Sequence, residues 1–167
     1  MDKAVTELIA ALKARDAVVR GHAVRALGQM GPAAKEAMPA LIAALKDQHA
    51  NIRSAAADAL GEIGPTKEAV PDLIAALKDQ DADVSDSAAC ALDEIGPEAK
   101  EAAPALIAAL KDQDAHIRGV AACALGKIGP EAKEATPALL AALKDQNTYV
   151  HRSAANALRK IQAIGKT

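Results

Sequence analysis

The chain has 167 residues, a quarter of them charged, and a formal net charge of -2. That length suffices for one domain with a sizeable core, and the mixed charge argues against disorder and against a global attraction to nucleic acid or membrane. With 44 alanines, one tyrosine and neither phenylalanine nor tryptophan, the core has to be assembled from Leu, Ile, Val and Ala, which suits closely approaching helices.

The opening MDKAVTELIAALKAR carries acids and an amphipathic pattern, unlike a secretory signal. Its first helix is expected to run unbroken from an Asp2 cap, because Thr6 stands where later copies have proline. From there one phrase recurs: PALIAALKDQ at 39–48 and again at 104–113, PDLIAALKDQ at 71–80, PALLAALKDQ at 137–146, with TELIAALKAR at 6–15 a weaker fifth copy. Leu8, Leu41, Leu73, Leu106 and Leu139 are separated by 33, 32, 33 and 33 residues. Five units follow, at 1–37, 38–69, 70–102, 103–135 and 136–167. The one-residue deletion lies in GPTKEA, 64–69, which is therefore expected to join units.

Each unit reads as two helices. The first opens on Pro39, Pro71, Pro104 or Pro137, since a missing N–H is harmless at the first helical position. Asp16, Asp81, Asp114 and Asn147 are good N-caps for the second helix, and His49 is a poorer one. In the fourth unit Gly129-Pro130 closes that helix, and PEAKEA predicts one further helical turn before the next proline. At 100° per residue, Ile117, Ala121, Ala124, Leu125 and Ile128 fall on one stripe, the expected core face. No helix pair can bury such a stripe alone, but stacked pairs can. The fifth unit reads as a cap of the stack, with Gln162-Ala163 replacing Gly-Pro and Arg159 and Lys160 nearby.

Periods near 33 also belong to ankyrin and tetratricopeptide repeats, whose TPLH and Trp/Tyr signatures are absent here. The second-helix segments VRGHAVRALGQMG, IRSAAADALGEIG, VSDSAACALDEIG, IRGVAACALGKIG and VHRSAANALRKI instead resemble the pattern VRxxAAxALGxIG. That is the short HEAT-like repeat of the phycobilin-lyase type, also the basis of artificial alpha-helical repeat proteins. The resemblance covers essentially the whole chain. It implies an all-α fold, a right-handed α-solenoid of five HEAT-like helix pairs of about 33 residues in a single domain, 1–167.

The resemblance further implies that the second helices line a concave surface. The positions that vary most between units fall together there: His22 and Arg25 in the first unit, Asn51, Asp58 and Glu62 in the second, Asp83, Asp86, Cys90 and Glu94 in the third. His116, Cys123 and Lys127 follow in the fourth, and Tyr149, Arg152, Asn156 and Lys160 in the fifth. Val18, Gly21, Gln29, Ser54, Ala55, Ser87, Gly119, Val120 and Ser153 complete the rows. These residues are the expected partner-binding face. In the family an arginine tends to pair with an aspartate of a neighbouring unit. Arg20, Arg53 and Arg118 match the arginine, and Asp47, Asp79, Asp112 and Asp145 the acid. Ser85 and His151 stand at the arginine's place in the third and fifth units, and Asp93 stands where glycine is usual.

Little in the sequence points to catalysis. DQDADVSD, 79–86, spaces three aspartates like a calcium loop, but Val84 occupies the glycine place and Cys90 the final glutamate place. Stacking separates the α-carbons of Cys90 and Cys123 by roughly 10 Å, beyond the ~7 Å limit of a disulfide. The four histidines show no metal-ligand spacing, and the glycines sit at helix ends rather than in a phosphate loop. No cofactor, metal or catalytic residue is therefore assigned.

The expectation is a non-enzymatic, cytoplasmic, monomeric scaffold that binds a protein or peptide, with no nucleic-acid or membrane partner. The alternatives are a subunit of a bilin-lyase-like complex and a consensus-designed scaffold with no evolved ligand. Net charges by unit run +2, -1, -7, 0 and +4, so the near-neutral total conceals an acidic centre at Asp58, Glu62, Asp83, Asp86 and Glu94. The expected partner presents basic residues to that centre.

Overall fold

The computed structural model describes residues 2–64, 67–94 and 96–162. Among them are ten α-helices and no strand. The helices are α1 (Lys3–Ala11), α2 (Ala17–Gln29), α3 (Met38–Ala44), α4 (Ala50–Ile63), α5 (Val70–Ala76), α6 (Ala82–Asp93), α7 (Ala103–Ala109), α8 (Ala115–Ile128), α9 (Thr136–Ala142) and α10 (Thr148–Gln162). Gly31–Ala37, Pro97–Ala102 and Gly129–Ala135 are 3-10 segments. The expected extra α-turn of PEAKEA is thus the tighter 3-10 form, used here as a short connector. Of the proposed joining segment, Pro65 and Thr66 lie outside the described residues, as does Ala163 of the proposed terminal cap.

Helix boundaries follow local chemistry. Carboxylate oxygens of Asp2, Asp16, Asp81 and Asp114 accept from the backbone N–H two residues on, at 2.9, 2.8, 3.1 and 2.8 Å. The Asn147 side-chain oxygen does the same for Tyr149 at 2.9 Å. His49 forms no such cap, and its own N–H donates to Asp47 at 2.9 Å. The long helix α8 stops where Gly129 takes φ 70°, a backbone state that a residue with a side chain resists.

The ten helices form two layers. Each of α2, α4, α6, α8 and α10 packs on the short helix before it, and these second helices pack on one another in sequence. Between the layers lies the core, with Leu27, Leu41, Leu60, Leu73, Leu92, Leu106, Leu125 and Leu139 fully buried. Ile117, Ala121, Ala124, Leu125 and Ile128 are each at most 1% exposed, so the stripe read from the fourth unit is the core face of α8. Small residues let the second helices approach closely. A Cβ built on Gly28 would lie 3.1 Å from the Ala59 Cα, one on Gly61 3.1 Å from the Ala91 Cα, and one on Gly126 3.0 Å from the Ala157 Cα. These three glycines form a seam of near backbone contact, and no aromatic side chain is needed to fill it. Among the described residues, no helix is long and apolar enough to cross a membrane.

Candidate functional site

Successive helix pairs are tied by arginines that reach from one pair to the next. Arg20 donates through Nε and Nη2 to both carboxylate oxygens of Asp47, at 2.7 and 3.0 Å. Arg53 does so to Asp79 at 2.7 and 2.8 Å, and Arg118 to Asp145 at 2.7 and 3.1 Å. The remaining Nη1 of each arginine donates to two carbonyls of the turn before its own helix. Such fork-to-fork pairs fix distance and orientation together. Hydrogen bonds from Arg53 hold Asp79 below its ordinary carboxylate pKa, and those from Arg118 do so for Asp145. At Asp47 burial pushes the pKa up, but bonding to Arg20 and to the His49 N–H outweighs it and the net direction is down.

The ladder is broken between the third and fourth pairs. Ser85 turns back to the Leu77 carbonyl at 3.0 Å, and Asp112 is taken instead by the Lys78 ammonium of the same third pair at 2.6 Å. At the same joint Asp93 stands at the place of Gly28, Gly61 and Gly126. Its side chain is incompatible with the near-backbone contact made at the three glycines. Accordingly α6 and α8 touch far less extensively than the other neighbouring second helices. Lys127 reaches across to Asp93 at 3.4 Å.

Of the residues expected on the variable face, His22, Arg25, Asn51, Asp58, Glu62, Asp83, Asp86, Cys90, Glu94, His116, Lys127, Tyr149, Arg152, Asn156 and Lys160 are exposed, and Cys123 is half-buried. Gly21, Gly119, Val120 and Ser153 share the face by helical position but are buried. Tyr149 explains much of this. Its ring lies over Gly119, where a Cβ would meet it at 2.1 Å, and stacks on His116 with centroids 6.5 Å apart. Its hydroxyl meets the Cys123 sulfur at 3.9 Å, and Cys123 donates to the Ser153 hydroxyl at 3.3 Å. Burial, then the neighbouring Cys123, pushes the Tyr149 phenol up to about 12.

Three shallow grooves run along this face. Arg25, Asn51, Ser54, Asp58 and Asp83 line one, and Asp58, Glu62, Cys90 and Glu94 the next. The third is lined across the open joint by Ala89, Cys90, Asp93 and Glu94 from the α6 side, His116, Val120 and Cys123 from α8, and Tyr149 from α10. Because Asp58 is common to the first two grooves and Cys90 and Glu94 to the last two, they are continuous. Ala89 and Asp93 were not among the expected site residues. The departure from glycine at Asp93 was the available signal for both. Cys90 and Cys123 are free thiols on the walls of one groove. Among the described residues, no group of three His, Cys, Asp or Glu could hold a metal ion.

A protein-family model described as HEAT repeats matches residues 5–93 and 70–159. No curated protein matches the chain in sequence. Among solved structures, the complex of CpcE and CpcF of phycocyanin lyase from Nostoc contains a chain 31% identical, with a TM-score of 0.64 over 95% of this chain and 65% of that one. An engineered protein is 26% identical, with a TM-score of 0.65 over 96% of this chain and 80% of that one. The archaeal HEAT-like repeats protein from Thermococcus onnurineus, 15% identical, superposes with a TM-score of 0.73 over 95% of this chain and 70% of that one. The stacked helix pairs form a solenoid of a kind commonly used as a protein-interaction scaffold, and with family matches that together run from residue 5 to residue 159 the chain belongs to the HEAT-repeat family.

Proposed function

We propose that the chain is a non-enzymatic, monomeric scaffold that binds a basic peptide or protein surface on the face built by its second helices. One observation carries this reading. Asp58, Glu62, Asp83, Asp86 and Glu94 are exposed on that face, and among the described residues none forms an ion pair. Several acids outside that face are paired, as at Lys46–Asp72, Lys67–Glu101 and Lys100–Glu131. An acidic patch along adjoining grooves, with Arg25 at its first-unit end, focuses potential and draws opposite charge. A rigid stack also loses little freedom on binding, so modest contacts suffice.

The double variant Asp83→Lys with Asp86→Lys tests the reading. Association of a short labelled peptide of alternating arginine and serine should slow by about tenfold at low ionic strength, with the difference shrinking as salt is raised. Unchanged association at low salt removes the acidic centre from the binding face. The second reading, a subunit of a bilin-lyase-like complex, is favoured by the 31% identity to a chain of the phycocyanin lyase complex. Incubation with free bilin and an apo-phycobiliprotein distinguishes it, because only that reading expects attached chromophore.

A further inference from the structure

We infer that the open joint between α6 and α8 is a receptor for one arginine side chain of the bound partner; this rests on the scaffold reading above and assigns it a specific anchoring point. The joint exists because two positions depart from the repeat at once. Asp93 replaces the seam glycine and Ser85 the ladder arginine, and α6 and α8 consequently stand apart. The groove there measures about 410 Å³, of the same order as the two beside it and within the size range of small-ligand sites.

Its chemistry matches a long side chain that is apolar along its stem and cationic at its tip. Ala89 and Val120 give the groove an apolar lining, and Cys90 lines it too. Glu94, immediately after the last residue of α6, also lines it and forms no ion pair among the described residues. The C-terminal carbonyl end of that helix is the negative pole of its dipole and favours a cation there. Lys127 is engaged by Asp93 and leaves Glu94 unmatched. The stacked rings of Tyr149 and His116 complete the lining. A planar guanidinium stacks on such a surface and forks onto a carboxylate, which a lysine ammonium does not do.

The probe is the same short fluorescein-labelled peptide of alternating arginine and serine, compared with one carrying citrulline, which keeps the shape and removes the charge. The wild-type protein should bind the arginine peptide about tenfold more tightly than the citrulline peptide. Closing the joint with Ser85→Arg and Asp93→Gly together should weaken arginine-peptide binding by about tenfold without lowering the melting temperature. On the wild-type protein, saturating arginine peptide should slow alkylation of Cys90, read by mass spectrometry, and this measurement decides the matter if the closed variant does not fold. An arginine peptide that leaves Cys90 alkylation unchanged, or binds the folded closed variant as well as wild type, overturns the receptor. The scaffold reading then stands if Asp83→Lys with Asp86→Lys still slows association. An arginine peptide that fails to bind wild type even at low salt overturns both.

Discussion

Helix α8 has two neighbours of its own kind and meets them in opposite ways. Toward α10 it lays Gly126 almost on the Ala157 backbone, forks Arg118 onto Asp145 and seats Tyr149 over Gly119. Toward α6 it meets Asp93 where a glycine would be, and no arginine crosses. Three lysine contacts cross the joint, Lys78–Asp112, Lys100–Glu131 and Lys127–Asp93. The core stripe of α8 is buried along its whole length although the two joints differ, so burial alone does not set helix spacing. Two positions outside that stripe do, one by its size and one by its reach. In a solenoid, stability is close to a sum of unit and nearest-neighbour terms, so the weakness is confined to one interface.

The strongest way to break the contrast is to move the wedge to the tight side. Gly126→Asp places a side chain where a Cβ already lies 3.0 Å from the Ala157 Cα. Backbone has to shift, and overpacking of this kind destabilises by about 2 kcal/mol or more, lowering the melting temperature by roughly 5 °C. A melting curve superimposable on wild type would show that α8 and α10 are not in near backbone contact.

Removing a rung comes next. Arg53→Ala deletes two hydrogen bonds to Asp79 and those to the Asp47 and Gln48 carbonyls, and should lower stability by about 2 kcal/mol in urea unfolding. The same pair makes stability acid-sensitive. Asp79 titrates below its unfolded value because Arg53 bonds its charged form. Its contribution is therefore present above the unfolded pKa of about 4 and is lost as pH falls through the lower native value. Asp112 and Asp145 act in the same direction, bonded by Lys78 and Arg118. Wild type should lose more stability than Arg53→Ala between neutral pH and the acid side of that range. Equal losses would show that the Arg53–Asp79 contact does not form in solution.

Repairing the open joint has a smaller effect. Ser85→Arg gains a fork onto Asp112, but it must displace Lys78 and gives up the Ser85 bond to Leu77. Stabilisation should lie between nothing and about 1 kcal/mol. Hydrogen exchange should report it in α6 and α8 and not in α2 or α4. A clear fall in melting temperature would mean that residue 85 does not face Asp112.

How much of this was legible in the sequence depended on whether a residue's role is set within its own repeat. Caps such as Asp16 and Asn147 act two residues away, and the α8 core stripe is a matter of helical period, so both could be read directly. The arginine–aspartate ladder was read from a family resemblance, because its partners lie 26 or 27 residues apart. The sequence showed Asp93 and Ser85 as departures without showing that they open one shared joint. Lys78 could not be assigned to Asp112, since a flexible ammonium has no pattern to match. The burial of Val120 and Ser153 was likewise hidden, because it depends on how Tyr149 and Cys123 come to rest across the joint between the fourth and fifth repeats.

Tyr149 supplies the smallest predicted effect. Gly119→Ala adds a Cβ where the Tyr149 Cε1 and Cδ1 atoms now lie at 2.1 and 2.3 Å. The ring is at the surface and can rotate away, so the backbone need not move. Alanine also favours the helix over glycine by about 1 kcal/mol, which offsets the lost ring packing and leaves a net change within about 0.5 kcal/mol. The informative readout is therefore the tyrosine itself. It is the single tyrosine in a chain without tryptophan, so ultraviolet absorbance follows it without interference. Burial first, and then the Cys123 thiol, pushes its phenol up to about 12. Once the ring is displaced, both causes weaken and the phenol should titrate nearer its ordinary value of about 10, with circular dichroism confirming that the helices remain folded. A titration unchanged by Gly119→Ala would place the ring elsewhere, and with it the tight closure that sets the α8–α10 joint apart from its open neighbour.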